Sequence, residues 1–153
     1  MTGGRLAGKV ALITGATGGI GAGIAQEFAL AGASVFVHGR FAHEEEAALA
    51  RLLDAGIARE RLAYGAAELT DAEQCRELPA AAARHFGGLD VVVNNAGDFR
   101  RGTLETATVA LWDTQMAVNV RAPFIIMQAS VPLMKARGGG AIVNIGSINA
   151  YVG

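Results

Sequence analysis

The sequence predicts an α/β domain, a doubly wound parallel sheet of five strands, and three observations carry that prediction. Short apolar runs of strand length alternate along the chain with stretches of helical periodicity. The 21 glycines supply many tight turns between them. The first apolar run leads directly into Thr14-Gly15-Ala16-Thr17-Gly18-Gly19-Ile20-Gly21, a glycine-rich turn that opens a helix.

Each element follows from its residues. Residues 10–14, bounded by Lys9 and Gly15, form a buried strand. Residues 20–31 place Ile24, Phe28 and Ala31 on one helical face, and Gly32 ends that helix. Val35-Phe36-Val37 is the second strand. Residues 44–54 form a helix that buries Leu49, Leu52 and Leu53, and the run Glu44-Glu45-Glu46 suits the positive end of its dipole. Residues 61–68 make a third, weaker strand. Thr70-Asp71-Ala72-Glu73 reads as a capping box, in which threonine and glutamate satisfy the first free N–H groups of a helix reaching Phe86 and Gly87-Gly88. Residues 89–93 are a fourth strand, apolar throughout because both its faces are covered. A long helical stretch occupies residues 108–134, Gly138-Gly139-Gly140 breaks it, and residues 141–145 are the fifth strand. Strict β-α alternation specifies parallel pairing with right-handed crossovers. Residues 1–153 form one domain, without linker or repeat.

Composition excludes several classes. With 52% hydrophobic and 18% charged residues the chain is globular. Its net charge of −1, with no basic stretch longer than Arg100-Arg101, argues against nucleic acid or an anionic membrane as partner. A single cysteine, Cys75, allows no internal disulfide and fits a reducing, cytoplasmic location. His38, His43 and His85 are scattered, so no metal site is expected. The apolar run at residues 10–13 is too short for an export signal, and residues 122–134, holding Pro123, Gln128 and Pro132, are too short and polar to span a bilayer.

Ligands of such sheets bind beyond the carboxyl ends of the strands. After the first strand, glycines let the backbone turn tightly and approach a pyrophosphate resting on the following helix N-terminus. No Gly-Lys-Ser/Thr follows, which excludes a P-loop and leaves a Rossmann-type dinucleotide site. After the second strand, His38-Gly39-Arg40 offers an arginine where NAD sites usually place an acid, which favours NADP over NAD as cofactor without excluding NAD. After the fourth come Asn94-Asn95-Ala96-Gly97, small residues with amides for a ribose or backbone. After the fifth, Ser147 faces the nicotinamide end.

These residues resemble the classical short-chain dehydrogenase/reductase family. The glycine motif has the family's Thr-Gly-x-x-x-Gly-Ile-Gly spacing, and Asn94-Asn95-Ala96-Gly97, Trp112-Asp113 with Asn119, and Ser147 follow in the family's order. The resemblance implies that Gly15, Thr17, Gly19, Ile20 and Gly21 hold the pyrophosphate and adenosine ribose, and Arg40 the 2′-phosphate. Asn95, Ala96 and Gly97 would line the cofactor ribose, and Ser147 would hydrogen-bond the substrate oxygen. Asn119, in a kinked turn of the long helix, would hold a water in a proton relay. It further implies a small-molecule carbonyl or alcohol as substrate; the free edge of the fifth strand and the apolar long helix predict a homo-oligomer.

Two departures stand out. The family's Asp-Val or Asp-Leu, whose aspartate meets the adenine amino group, is replaced by Glu68-Leu69, one methylene longer. The family's proton donor is a tyrosine about a dozen residues past the serine, in a Tyr-x-x-x-Lys pair whose lysine lowers the tyrosine pKa. The chain runs only to Gly153, six residues past Ser147, and Tyr151 has no lysine after it. The expectation is therefore a portion that stops before that pair, inactive alone, with Tyr151 at the rim or in packing. The alternative is a short form that binds a nucleotide or a partner without catalysis.

Overall fold

The structure is a computed structural model that describes residues 4–147. Tyr151, with the rest of 148–153, lies outside the described residues. The five strands are β1 (Val10–Ile13), β2 (Ser34–Gly39), β3 (Leu62–Ala66), β4 (Val91–Asn94) and β5 (Ala141–Asn144). All pair in parallel, in the order β3-β2-β1-β4-β5. The chain reverses direction across the sheet at β1, which opens a crevice between the carboxyl ends of β1 and β4. This is the Rossmann-type sheet that the alternation predicts.

Period-two alternation assigns strand residues to two cores. Ile13, Val35, Val37, Leu62 and Val93 face α1 (Gly19–Leu30) and α2 (Glu45–Asp54). Val10, Leu12, Phe36, Ala63 and Val92 face α3 (Ala72–Phe86) and the later α5 (Ala122–Ala136). At the opposite end from the crevice, the almost fully buried Asp90 carboxylate accepts the Val10 N–H at 2.9 Å and Arg137 Nη2 at 3.1 Å. Burial raises the Asp90 pKa, but these partners and Lys9 outweigh it and hold the carboxyl below its usual range.

Three details differ from the sequence prediction. Leu53 is exposed, because α2 buries Ala48, Leu49 and Leu52, and position 53 lies a further 100° around the helix. The buried face of α1 is Gly21, Ala25 and Ala29, with Ile24 and Phe28 only packed against its margin. Small residues let that helix lie close to the sheet. Finally, Asp71, not Thr70, caps α3: its Oδ1 accepts the N–H groups of Glu73 and Gln74 at 2.8 and 3.2 Å. Thr70 is occupied elsewhere, its N–H on Glu68 Oε1 at 3.1 Å and its carbonyl accepting Arg121 at 2.8 Å.

The predicted long helix is α4 (Val109–Met116), a π-helical segment (Ala117–Arg121) and α5 in continuous succession. Val109–Ala136 is long and apolar enough, by length and composition, to cross a membrane. Its Ile125, Ile126 and Met134 are instead buried in the core shared with α3.

Candidate functional site

The carboxyl ends of β1, β2, β3 and β4 meet around the glycine turn. Gly15 takes φ +62°, and a Cβ there would come within 2.8 Å of Ala96 Cα. Gly21 is packed still more closely, since a Cβ would stand 2.3 Å from the Gly15 carbonyl oxygen. Above Gly18 and Gly19 the space is open, with nothing within 4 Å of an added Cβ. The N-terminus of α1 has no side-chain cap and no acidic residue in its first turn. Its first N–H groups and the positive end of its dipole therefore face that open space, as an anion requires.

Three side chains brace this turn. Thr14 Oγ1 accepts the N–H groups of Asn95 and Ala96 at 3.0 and 3.1 Å. The Asn95 amide donates to the carbonyls of Thr14 and Gly15 at 2.9 and 3.1 Å. The Asn95 side chain thus fixes the glycine turn to β4. From the other side, Gly15 N–H donates to His38 Nδ1 at 3.1 Å, so Nδ1 is unprotonated and Nε2 donates to the Ala67 carbonyl at 3.0 Å. Burial lowers the His38 pKa, against the opposing effects of the Ala67 carbonyl and the Glu44 and Glu68 carboxylates. The neutral ring joins three strand ends.

Arg40 leaves β2 toward solvent and pairs with Glu68, Nε and Nη2 each lying 2.6 Å from the same carboxylate oxygen. The guanidinium also lies over the Phe41 ring, 5.2 Å from its centroid. Burial raises the Glu68 pKa, but the Thr70 N–H and Arg40 together bring it below the ordinary value. Leu69 is buried in the core, so its backbone is what it presents at this edge. Thr17 sits half-buried with its methyl beside Gly39, while Gly19 and Ile20 are exposed.

Beyond β4, Gly97 lies under the Phe99 ring and near Asn119 Oδ1. Asn119 sits in the π-helical segment, where the family resemblance implies a kinked turn. Its amide pairs reciprocally with the Asp98 backbone, accepting N–H at 2.8 Å and donating to the carbonyl at 2.9 Å. Ser147 follows β5, which is continued by Ile145 N–H on the Asn94 carbonyl at 2.9 Å. Among the described residues no group of three or more His, Cys, Asp or Glu is placed to hold a metal. Thr14 and His38 are the residues that residue-type reasoning passes over. Their signal is position alone, Thr14 directly following β1 and His38 being the last polar residue of β2, both beside the glycine turn.

The pattern of the short chain dehydrogenase family matches residues 9–153. The chain belongs to the short-chain dehydrogenase family. It is 42% identical to the trans-4-hydroxycyclohexanecarboxylate dehydrogenase of Sinomonas cyclohexanicum, over 97% of this chain and 58% of that protein. It is 35% identical to a D-beta-hydroxybutyrate dehydrogenase of Cupriavidus necator, over 96% of this chain and 56% of that one. A short chain dehydrogenase of Burkholderia cenocepacia, solved in complex with NADP, superposes with a TM-score of 0.84 at 38% identity, over 97% and 59% of the two chains. A 3-oxoacyl (acyl-carrier-protein) reductase of Agrobacterium tumefaciens, with NADP bound, gives 0.85 at 35% identity over 94% and 54%. The chain spans little more than half the length of these relatives.

Proposed function

We propose that residues 1–153 form the dinucleotide-binding domain of an NADP-dependent oxidoreductase that interconverts a small carbonyl compound and an alcohol. The observation that carries it is the open, uncapped N-terminus of α1 beneath a glycine turn with φ +62° at Gly15. Gly15, Thr17, Gly19, Ile20 and Gly21 hold the pyrophosphate and adenosine ribose, Arg40 the 2′-phosphate, and the Glu68-Leu69 turn flanks the adenine. Asn95, Ala96 and Gly97 line the second ribose, Asn95 chiefly by holding the turn in shape. Bound there, the nicotinamide nucleotide supplies or accepts the hydride. Ser147 orients the substrate oxygen, and Asn119, in the π-helical turn, holds a relay water. Related structures solved with NADP bound support this choice of cofactor, with NAD as the second candidate.

Titration with NADP and NAD tests the reading. Arg40→Ala should weaken NADP about tenfold and leave NAD nearly unchanged, since one charge-assisted hydrogen bond contributes roughly 1.5–3 kcal/mol and this arginine is half exposed to water. Equal losses for both would assign Arg40 to structure alone. Catalysis is a separate matter. The sequence contains no Tyr-x-x-x-Lys pair, and without a positioned proton donor a factor of about 10²–10⁴ is forfeited. The chain assayed alone should therefore reduce no carbonyl measurably with NADPH. Turnover that vanishes on Tyr151→Phe would overturn that expectation.

A further inference from the structure

The adenosine end of the site sets one arginine between two carboxylates. Arg40 commits Nε and Nη2 to one oxygen of Glu68. Glu68 is in turn fixed, its second oxygen accepting the Thr70 N–H at 3.1 Å and its own N–H donating to Gln74 Oε1 at 2.8 Å. From the other side Glu44 reaches back to the strand end. Its Oε2 accepts the Phe41 N–H at 2.9 Å and lies 2.9 Å from where a Cβ on Gly39 would stand, beside the Thr17 methyl. The space that an acidic side chain at the end of β2 would fill thus holds the Tyr64 hydroxyl, nearest that Cβ position, and 3.4 Å from it a Glu44 carboxylate oxygen delivered from the following turn.

A 2′-phosphate needs the arginine's charge and its forked donors. Here the fork is engaged by Glu68, and the three groups together carry a charge of −1. A 2′-hydroxyl is neutral, is indifferent to Glu68, and can donate to a carboxylate in the position of Glu44. We propose that Glu68 is a specificity-determining residue: by engaging the Arg40 fork it lowers the preference for a 2′-phosphate, so the site also takes adenosine nucleotides with a free 2′-hydroxyl. This rests on the reading above, in which the adenosine half lies over these strand ends.

The test titrates the 153-residue chain and its Glu68→Gln variant with 2′,5′-ADP and 5′-AMP, which carry the adenosine half alone. Glutamine keeps an oxygen for the Thr70 N–H, so the turn retains its support. The unaltered chain should bind the two probes within about tenfold of each other, and Glu68→Gln should tighten 2′,5′-ADP about fivefold while moving 5′-AMP less than twofold. Adding Arg40→Ala should abolish the gain, and roughly 0.5 M salt should shrink it. Equal changes for both probes, or no change, would overturn the proposal and leave Glu68 as a loop support. Binding of neither probe by the unaltered chain would bring down the nucleotide reading, and this proposal with it.

Discussion

His38 shows how a single residue acquires a role that its type does not announce. In the sequence it is one of three scattered histidines. In the fold its ring accepts from Gly15 and donates to Ala67, which only the neutral Nε2–H form can do. Burial lowers its pKa below the ordinary 6.5. The sign follows from proton linkage. As pH falls through about 6.5 the unfolded chain takes up this proton while the folded one resists, so stability is complete above that value and is lost progressively below it. Urea midpoints should therefore fall from about pH 7.5 to about pH 5.5, and His38→Asn, which offers an oxygen to Gly15 without titrating, should flatten that slope. An identical slope in the variant would show that other groups set it. Arg40 gives the complementary case. Its position at the end of a strand is legible in the sequence, but its pairing with Glu68 is not. The two residues stand 28 apart in sequence and meet only because β2 and β3 pair with Gly39 opposite Ala66.

At the scale of elements, periodicity and glycine placement locate the five strands and the α-helical stretches between them, because buried parallel strands tolerate few polar residues. What they could not settle was local competition. At the start of α3, Thr70 and Asp71 are both good caps, and the choice fell to Asp71 because Thr70 is held by Glu68 and Arg121. Tertiary contacts of that loop thus moved a helix boundary by one residue. Asp71→Ala should cost about 1 kcal/mol in urea unfolding, and Thr70→Val clearly less, since its hydroxyl does not cap the helix. A larger loss from Thr70→Val would restore the threonine as cap. The π-helical turn at Ala117–Arg121 is similar. Nothing in the hydrophobic period marks it, but Asn119 is bonded through both amide atoms to the Asp98 backbone within it. A π-bulge at such a point re-aims side chains and is common at functional sites.

The whole molecule leaves two apolar surfaces without partners among the described residues. β5 pairs only with β4, and its Val143, with Ile145 beyond it, is exposed. Along α4, the π-helical segment and α5, Val109, Trp112, Met116, Val120 and Phe124 recur at three- and four-residue intervals and are all exposed, Trp112 by 64% and Phe124 by 58%. Such a stripe is one face of a helix, and contiguous apolar surface of this kind usually drives association. Ala122 and Ile126, on the opposite face, are already buried. A second copy of the chain suits the stripe, because two antiparallel copies would place large apolar side chains against each other and almost no charge, only Asp113 and Arg121 lying near it. An unpaired strand edge offers the second route to self-association. The chain made alone should therefore sediment as a dimer or larger species at micromolar concentration. Trp112→Glu with Phe124→Glu should shift it toward monomer if the stripe is the contact, and leave it associated if the β5 edge is. A stable monomer of the unaltered chain would show that neither surface binds its own copy.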